Sequence, residues 1–135
     1  MRLLLDINVL LDAILDRAPW ADDAGEILAA AAHGRAIVLV AGHTITTIHY
    51  LAAKQMGRVT AAEVISDLLP IVEIVPVEKG DLVRALALGL RDYEDGVQAA
   101  CALKAEADFI VTRDEKDFAG VAVPVASPAS VVRRL

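Results

Sequence analysis

Short, continuously apolar segments alternate along the chain with longer segments whose apolar residues recur at helical spacing. Continuous apolar runs of this kind are typical of strands that are covered on both faces. The pattern predicts strands at residues 2–5, 36–40, 71–77, 109–112 and, as an edge strand that contains proline, 121–126. Each of the first three runs is separated from the next by at least one helical pattern.

Helical spacing and end signals define the segments between the strands. Glycine follows two of them, at Gly34 and Gly57, and Thr60 with Glu63 three residues later has the pattern of a capping box. The predicted helices cover residues 7–15, 21–32, 45–56, 60–69, 79–90 and 93–105, and a short C-terminal helix opens at Ser127-Pro128.

Strands that alternate with helices imply crossover connections, which produce parallel pairing with helices on both faces. The pattern therefore predicts an α/β fold, a three-layer α/β/α arrangement around a central, mostly parallel sheet. A length of 135 residues suits one domain, residues 1–135.

Composition adds detail about the interior. Hydrophobic residues make up 56% of the chain, but aromatic residues only 4%, and there are 25 alanines. We therefore expect an aliphatic core with closely packed helices, in which Cys101 is buried and inert and Trp20 is a core residue rather than part of a partner surface. A single cysteine excludes an internal disulfide framework and a cysteine-based zinc site.

The charge balance narrows the possible partners. A net charge of −6 argues against a protein that holds nucleic acid by bulk electrostatics. No apolar stretch approaches the roughly 18 residues that a membrane span needs, and no targeting segment is evident, so we expect a cytoplasmic protein.

Acidic residues follow or precede the predicted strands at three places. Asp6 follows the first strand, Asp114 and Asp117 follow the fourth, and Asp92 and Asp95 stand where the preceding helix begins. The helix, turn and strand between Asp95 and Asp114 return the chain to the same end of the sheet. Because ligands of open parallel sheets bind at the carboxyl ends of the strands, we expect these acids to meet there.

Each acid also has a structural alternative. Asp6 is a suitable N-cap for the next helix, and Glu94 favours the positive end of its own helix. The segment from Asp114 to Asp117 suits an ordinary polar turn. The coincidence of three placements at one sheet edge favours a functional interpretation.

Crowded carboxylates repel one another unless a cation lies between them. Their hard oxygen ligands favour Mg²⁺ or Mn²⁺, and such an ion activates water and stabilises charge on a phosphate. The reaction class that this indicates is metal-assisted hydrolysis of a phosphodiester.

Three motifs resemble those of the PIN-domain family, small metal-dependent ribonucleases that include the VapC-type toxins. The opening Asp6-Ile7-Asn8, the segment from Asp92 to Leu103 and the segment from Ala107 to Phe118 are similar, in order and spacing, to the family's first, third and closing motifs. The resemblance covers essentially the whole chain.

The resemblance implies specific roles. Asp6, Asp95 and Asp114 would be catalytic and bind Mg²⁺ or Mn²⁺, and Asp117 could share the metal. Around them, Asn8 would orient Asp6, and Asp92 would support the acids from the outer shell.

One family feature is missing. Many members carry a glutamate on the helix after the second strand, where this chain has Thr47. Thr44 or Thr47 would then contribute from the outer shell, and one metal is expected rather than two. His43 and His49 could replace the acid, but they are six residues apart and cannot both face the site from one helix.

The function that the resemblance implies is a metal-dependent endoribonuclease acting on RNA, the toxin of a toxin–antitoxin pair, with an antitoxin partner and a homodimeric state. The alternative is a non-catalytic or weakly active PIN-like RNA- or protein-binding module, since the second acid is absent. A phosphatase- or response-regulator-like use of Asp6 is less favoured, because the chain has no glycine-rich phosphate loop.

Overall fold

The computed structural model describes all of residues 1–135. Its strands are β1 (Arg2–Leu5), β2 (Ile37–Ala41), β3 (Glu73–Val75), β4 (Phe109–Val111) and β5 (Val125–Ala126). Its helices are α1 (Ile7–Ile14), α2 (Ala21–Ala32), α3 (Gly42–Met56), α4 (Arg58–Leu68), α5 (Lys79–Leu88), α6 (Tyr93–Lys104) and α7 (Pro128–Val132), with a 3₁₀ helix at Glu115–Phe118.

The strands form one sheet in the order β3-β2-β1-β4-β5, and every neighbouring pair is parallel. Successive residues of β1 enter different cores: Leu3 and Leu5 pack on one side with α1, α2 and α3, while Leu4 packs on the other with α5 and α6. Both faces of the sheet are thus covered by aliphatic side chains. The predicted three-layer α/β/α fold is confirmed.

The strand order creates a switch point at the centre of the sheet. From β1 the chain moves outward to β2 and β3 on one side, and it later fills β4 and β5 on the other. The Asp6 amide donates to the Val111 carbonyl at 3.0 Å just where β1 and β4 end. A crevice outside the carboxyl ends of strands at such a point is the usual ligand position in open α/β sheets.

Several predicted boundaries are wrong for local reasons. β3 ends at Val75 because Pro76 lacks an amide, and it begins only at Glu73 because the amides of Ile71 and Val72 donate to the Leu68 carbonyl. β5 begins only after Pro124, which also lacks an amide. α3 begins at Gly42, directly after its strand, rather than at residue 45.

The start of α4 also differs from the prediction. α4 begins at Arg58 rather than at Thr60, because Gly57 adopts φ +86° and lets one helix follow another at once. The capping box lies instead at the start of α5, where Asp81 accepts from the Glu78 amide at 2.9 Å.

Two single residues test the predicted core. Cys101 is fully buried as expected, and burial raises the pKa of its thiol to about 11. Trp20 is not in the core, contrary to the prediction: it is 41% exposed, and the Arg113 guanidinium lies over its ring, 3.8 Å from the ring centroid.

None of the helices combines the length and the apolar character that crossing a membrane requires.

Candidate metal centre at the switch point

Asp6 is held at the carboxyl end of β1 by two side chains from distant parts of the chain. Its Oδ1 accepts from Gln98 Nε2 at 3.1 Å, and its Oδ2 accepts from Thr112 Oγ1 at 2.9 Å. Its backbone has the extended conformation of an N-cap, but its side chain makes no capping hydrogen bond. The capping alternative therefore does not account for this carboxylate.

The pKa of Asp6 is raised overall, although some of its neighbours lower it. Burial raises the pKa of Asp6, the hydrogen bonds from Gln98 and Thr112 lower it, and the negative charge of Asp114 raises it. A carboxylate that is 5% exposed with a second acid nearby would gain stability from a cation.

Asp92 opens α6 and caps it. Its Oδ1 accepts from the amides of Glu94, at 2.8 Å, and Asp95, at 3.3 Å. Glu94 lies in the first turn of α6, at the positive end of its helix as expected, and Asp92 supplies the N-cap. This cap fixes the first turn of α6, and with it Asp95, at the edge of the crevice.

Asp95 is the most strongly perturbed carboxylate. Burial, as the largest cause, and the negative charges of Asp6, Asp92, Asp117 and Glu94, in that order of size, together raise the pKa of Asp95 to about 7. Acidic residues of the first, third and closing motifs therefore all raise the pKa of one side chain, that of Asp95.

The closing segment is tied to the same network. The Thr112 hydroxyl donates to Asp6 and accepts from the Asp114 amide at 3.1 Å. The Asp117 amide donates to the Asp114 carbonyl at 3.0 Å, which turns the chain into the 3₁₀ helix. One hydroxyl thus fixes Asp6 relative to the segment that carries Asp114 and Asp117.

A cavity of about 320 Å³ opens beside these acids. It is lined by Asp92, Asp95, Asp117 and Arg91, without any hydrophobic residue. Its one cationic group is Arg91, which is exposed. A space of this kind suits a hydrated cation together with a charged, polar ligand.

Other residues predicted from the sequence lie outside this network. Asn8 makes no hydrogen bond to Asp6. Thr47 Oγ1 donates to the His43 carbonyl at 3.3 Å within its own helix, and Thr44 Oγ1 is buried without a partner. The polar contacts to Asp6 come from Gln98 and Thr112 instead.

His43 lies at the start of α3, within electrostatic range of Glu94. Both of its ring nitrogens are buried without a hydrogen-bond partner. Burial lowers the pKa of His43, and the charge of Glu94 opposes that effect.

The donor set fits a hydrated divalent cation. No three of the acidic or histidine side chains lie close enough to enclose an ion by themselves. Mg²⁺ is usually held through one or two carboxylates and keeps several waters, so full enclosure is not required. The repulsion that neighbouring acids exert on Asp95 is the feature that a cation would relieve.

Residues 2–116 match a family model described as PIN domain. This chain belongs to the PIN-domain family. The match includes the switch point and every acid described above except Asp117, which lies one residue beyond it. No curated protein sequence matches this PIN domain.

Solved structures with the same fold include toxin–antitoxin proteins. VapBC2 from Rickettsia felis, bound to a promoter DNA fragment, superposes with a TM-score of 0.72 at 16% identity, covering 94% of this chain and 98% of that chain. A toxin–antitoxin complex from Klebsiella pneumoniae gives 0.69 at 22% identity over 93% and 96%. VapC20 from Mycobacterium tuberculosis, described as a toxin that cleaves the sarcin–ricin loop, gives 0.65 at 14% identity over 80% and 86%.

Three residues of the site had no role assigned from the sequence. Gln98 is the one polar side chain in an otherwise apolar stretch of α6, three residues after Asp95, and that placement was a usable signal. Thr112 ends the fourth predicted strand beside Asp6, which also placed it within reach. No pattern in the sequence around Arg91 indicates that its side chain lines a cavity.

Proposed function

We propose that this PIN domain is a Mg²⁺- or Mn²⁺-dependent endoribonuclease that hydrolyses RNA phosphodiester bonds as the toxin of a toxin–antitoxin pair. The observation that carries the proposal is the charge environment of Asp95, whose pKa is raised to about 7 by burial and by acids from all three motifs. A protein core does not gain from such an arrangement unless a cation binds there.

Asp6, Asp95, Asp114 and Asp117 would share a hydrated ion, one or two of them as direct ligands and the others through its waters, because no three of them lie close enough to enclose it. When bound, a divalent cation supplies a Lewis acid that lowers the pKa of water and stabilises negative charge on a phosphate. The chain's own contribution is to orient the ligands: Gln98 and Thr112 fix both oxygens of Asp6, and the Asp92 cap fixes the first turn of α6.

Arg91 would bind the substrate's phosphate. It is the one basic residue that lines the cavity, and a guanidinium can donate two parallel hydrogen bonds to a phosphate. Together with the cation, it would offset locally the net charge of −6 that otherwise repels RNA.

The antitoxin partner is supported by the structural neighbours. VapBC from Salmonella typhimurium, bound to DNA, superposes with a TM-score of 0.73 at 13% identity over 95% of this chain and 98% of that chain. The K. pneumoniae structure is described as a toxin–antitoxin complex. We extend an antitoxin partner to this chain, and we propose a homodimeric state as a separate expectation.

One observation favours a second candidate, a PIN domain that binds RNA or protein without cutting. Where many members carry a glutamate on α3, the Thr47 hydroxyl is engaged with the His43 carbonyl. The site therefore has one carboxylate fewer than those members, and a domain of this kind would keep its binding surface while losing activity.

Cleavage assays separate the two candidates. Single-stranded RNA is incubated with the wild-type chain in Mn²⁺ or in EDTA, and with the Asp6→Asn/Asp95→Asn double variant in Mn²⁺. For a nuclease of the proposed kind, we expect cleavage by the wild type in Mn²⁺ only. Cleavage by the double variant at the wild-type rate overturns the assigned site, and RNA binding without cleavage by the wild type supports the second candidate.

A further inference from the structure

A second cavity lies beside the closing motif and is not used by the metal centre. Its volume is about 170 Å³, and it is lined by residues from the segment before α2, from α2 itself, from the end of β4 and from the start of α7: Trp20, Asp23, Arg113, Ser127, Pro128 and Ala129. Aromatic, aliphatic and charged groups thus meet in one small space.

Trp20 and Arg113 form the wall of this cavity and are rigidly held. The Arg113 guanidinium lies 3.8 Å from the centroid of the Trp20 ring. Arg113 is itself fixed by Asp12, with Nε 2.8 Å from Oδ2 and Nη2 3.2 Å from Oδ1. Because the Asp12 side chain is 1% exposed, the arginine is anchored from inside the protein.

An exposed indole that is fixed in this way is an unusual surface feature. Trp20, the one tryptophan of the chain, is 41% exposed and belongs to neither hydrophobic core. Aromatic rings presented on a rigid support are the groups on which proteins stack unpaired nucleobases.

The cavity and the candidate metal centre share one segment of the chain. Arg113, which lines the cavity, stands between Thr112, which bonds Asp6, and Asp114. An RNA bound at the metal centre would therefore lie on the same side of the molecule as this segment.

The polar lining indicates which base would fit. Asp23 offers a carboxylate with two acceptor oxygens. Arg113 is stacked on the Trp20 ring and paired with Asp12, so it extends the stacking surface and does not lie in the plane of a base that stacks there. Guanine presents two adjacent N–H donors, N1–H and N2–H, to which one carboxylate can accept two parallel hydrogen bonds. The Asp23 carboxylate therefore favours guanine.

We propose that this cavity is a nucleobase subsite that binds an unpaired guanine of the RNA, with Trp20 and the stacked Arg113 as its stacking surface and Asp23 as its reading group. The subsite rests on the proposed ribonuclease function for its substrate, but base binding and cleavage are separable measurements.

The single tryptophan makes the binding visible. Short oligouridylates carrying one central guanosine, adenosine or cytidine are titrated into the full chain in EDTA, where the proposed cleavage is absent, and Trp20 fluorescence is recorded. We expect quenching at lower concentration for the guanosine oligomer than for the other two. Quenching that is absent, or equal for the three oligomers, overturns the guanine subsite.

Variants assign the effect to named groups through anisotropy of labelled RNA. Trp20→Ala is expected to weaken binding of the guanosine oligomer roughly tenfold, and Trp20→Phe to keep most of it. Asp23→Asn should remove the preference for guanosine. Tyr50→Ala, which removes a 58% exposed aromatic residue elsewhere, should leave binding unchanged.

The outcomes distinguish this inference from the proposed function. Guanosine-selective quenching by a chain that does not cleave RNA would contradict the proposed ribonuclease function and support the guanine subsite. Cleavage that is unaffected by Trp20→Ala and Asp23→Asn retains the nuclease and overturns the subsite. A loss of antitoxin binding in Trp20→Ala, without any change in RNA binding, assigns the surface to a protein partner and also overturns the subsite.

Discussion

Thr112 donates a hydrogen bond of 2.9 Å to Asp6, although 106 residues separate the two in sequence. The same hydroxyl accepts from the Asp114 amide, so it connects the first acid of the site with the closing motif. Both residues are buried, and the bond crosses the switch point between β1 and β4. The geometry of the candidate metal centre depends on this one side chain more than on any other uncharged group.

Thr112→Val keeps the shape of the residue and removes the hydroxyl. We expect the pKa of Asp6 to rise, because one of the hydrogen bonds that lower it is lost. Unfolding in urea should become easier by about 1–3 kcal/mol, the usual cost of leaving buried polar partners unpaired. Thr112→Ser, which retains the hydroxyl, serves as the control, and equal stability of the two variants would contradict the role of the bond.

Asp95→Asn should stabilise the metal-free protein. Because the pKa of Asp95 is raised from 3.8 to about 7, the folded chain binds a proton that the unfolded chain lacks between those values. Stability therefore falls as the pH rises through that window, and the asparagine removes the loss. At pH 8 in EDTA we expect a gain of roughly 1 kcal/mol after solvent screening of this half-buried group, visible as a higher Tm.

The matched control for Asp95→Asn is Asp67→Asn, which neutralises an exposed aspartate on α4. It should change the free energy of unfolding by no more than about 0.5 kcal/mol, so its Tm should stay close to that of the wild type. A Tm for Asp95→Asn at or below that of the wild type in EDTA would show that the crowded charges are not repulsive.

The buried ion pair of Asp12 should be a major contributor to stability. Asp12 is fully buried between Arg113 and, at 3.6 Å, Arg17. Asp12→Ala leaves Arg113 without its carboxylate, and we expect a loss of about 3–5 kcal/mol in urea unfolding. Arg17→Ala, which removes the longer and more exposed contact, should cost less than about 1 kcal/mol. Similar losses in the two variants would argue against Arg113 as the main partner.

Gly96 permits the close approach of α6 to α5. A Cβ at this position would lie 3.1 Å from the Ala85 carbonyl oxygen, which is too close without a shift of α6. Because Gly96 follows Asp95 directly, Gly96→Ala should both destabilise the chain and weaken Mn²⁺ binding.

Gly25→Ala provides the opposite case. A Cβ added to this helical glycine would meet nothing within 4 Å, so alanine should stabilise α2 by roughly 0.5–1 kcal/mol. Thermal unfolding of both variants tests the contrast, and a stabilised Gly96→Ala would contradict the packing argument.

The sequence predicted the three layers well, because they follow from the alternation of strands and helices. Asp6 and Asp114 follow β1 and β4, and Asp95 lies in the first turn of α6, so right-handed crossovers bring them to one edge of the sheet. Which of these acids would bind a metal stays a prediction. The position of Trp20 was not predictable, since an aromatic residue in a mostly aliphatic chain is usually buried. Trp20 stacks on Arg113, which pairs with Asp12, and no local pattern encodes a contact between residues 101 positions apart.

The start of α4 was missed for a different reason. Thr60 and Glu63 have the composition of a capping box, but Gly57 already ends one helix and begins the next. Local propensity identifies a possible cap, and the packing of α3 against α4 decides which residue is used.

The most direct test of the central claim is the binding of Mn²⁺ by the wild-type chain and by Asp95→Asn, measured at pH 8 by electron paramagnetic resonance of the free ion. We predict that the wild type binds one Mn²⁺ ion and that Asp95→Asn, although folded, binds none or binds far more weakly. Equal binding by the two proteins, or no binding by the wild type, would contradict the assignment of these acids as a metal centre.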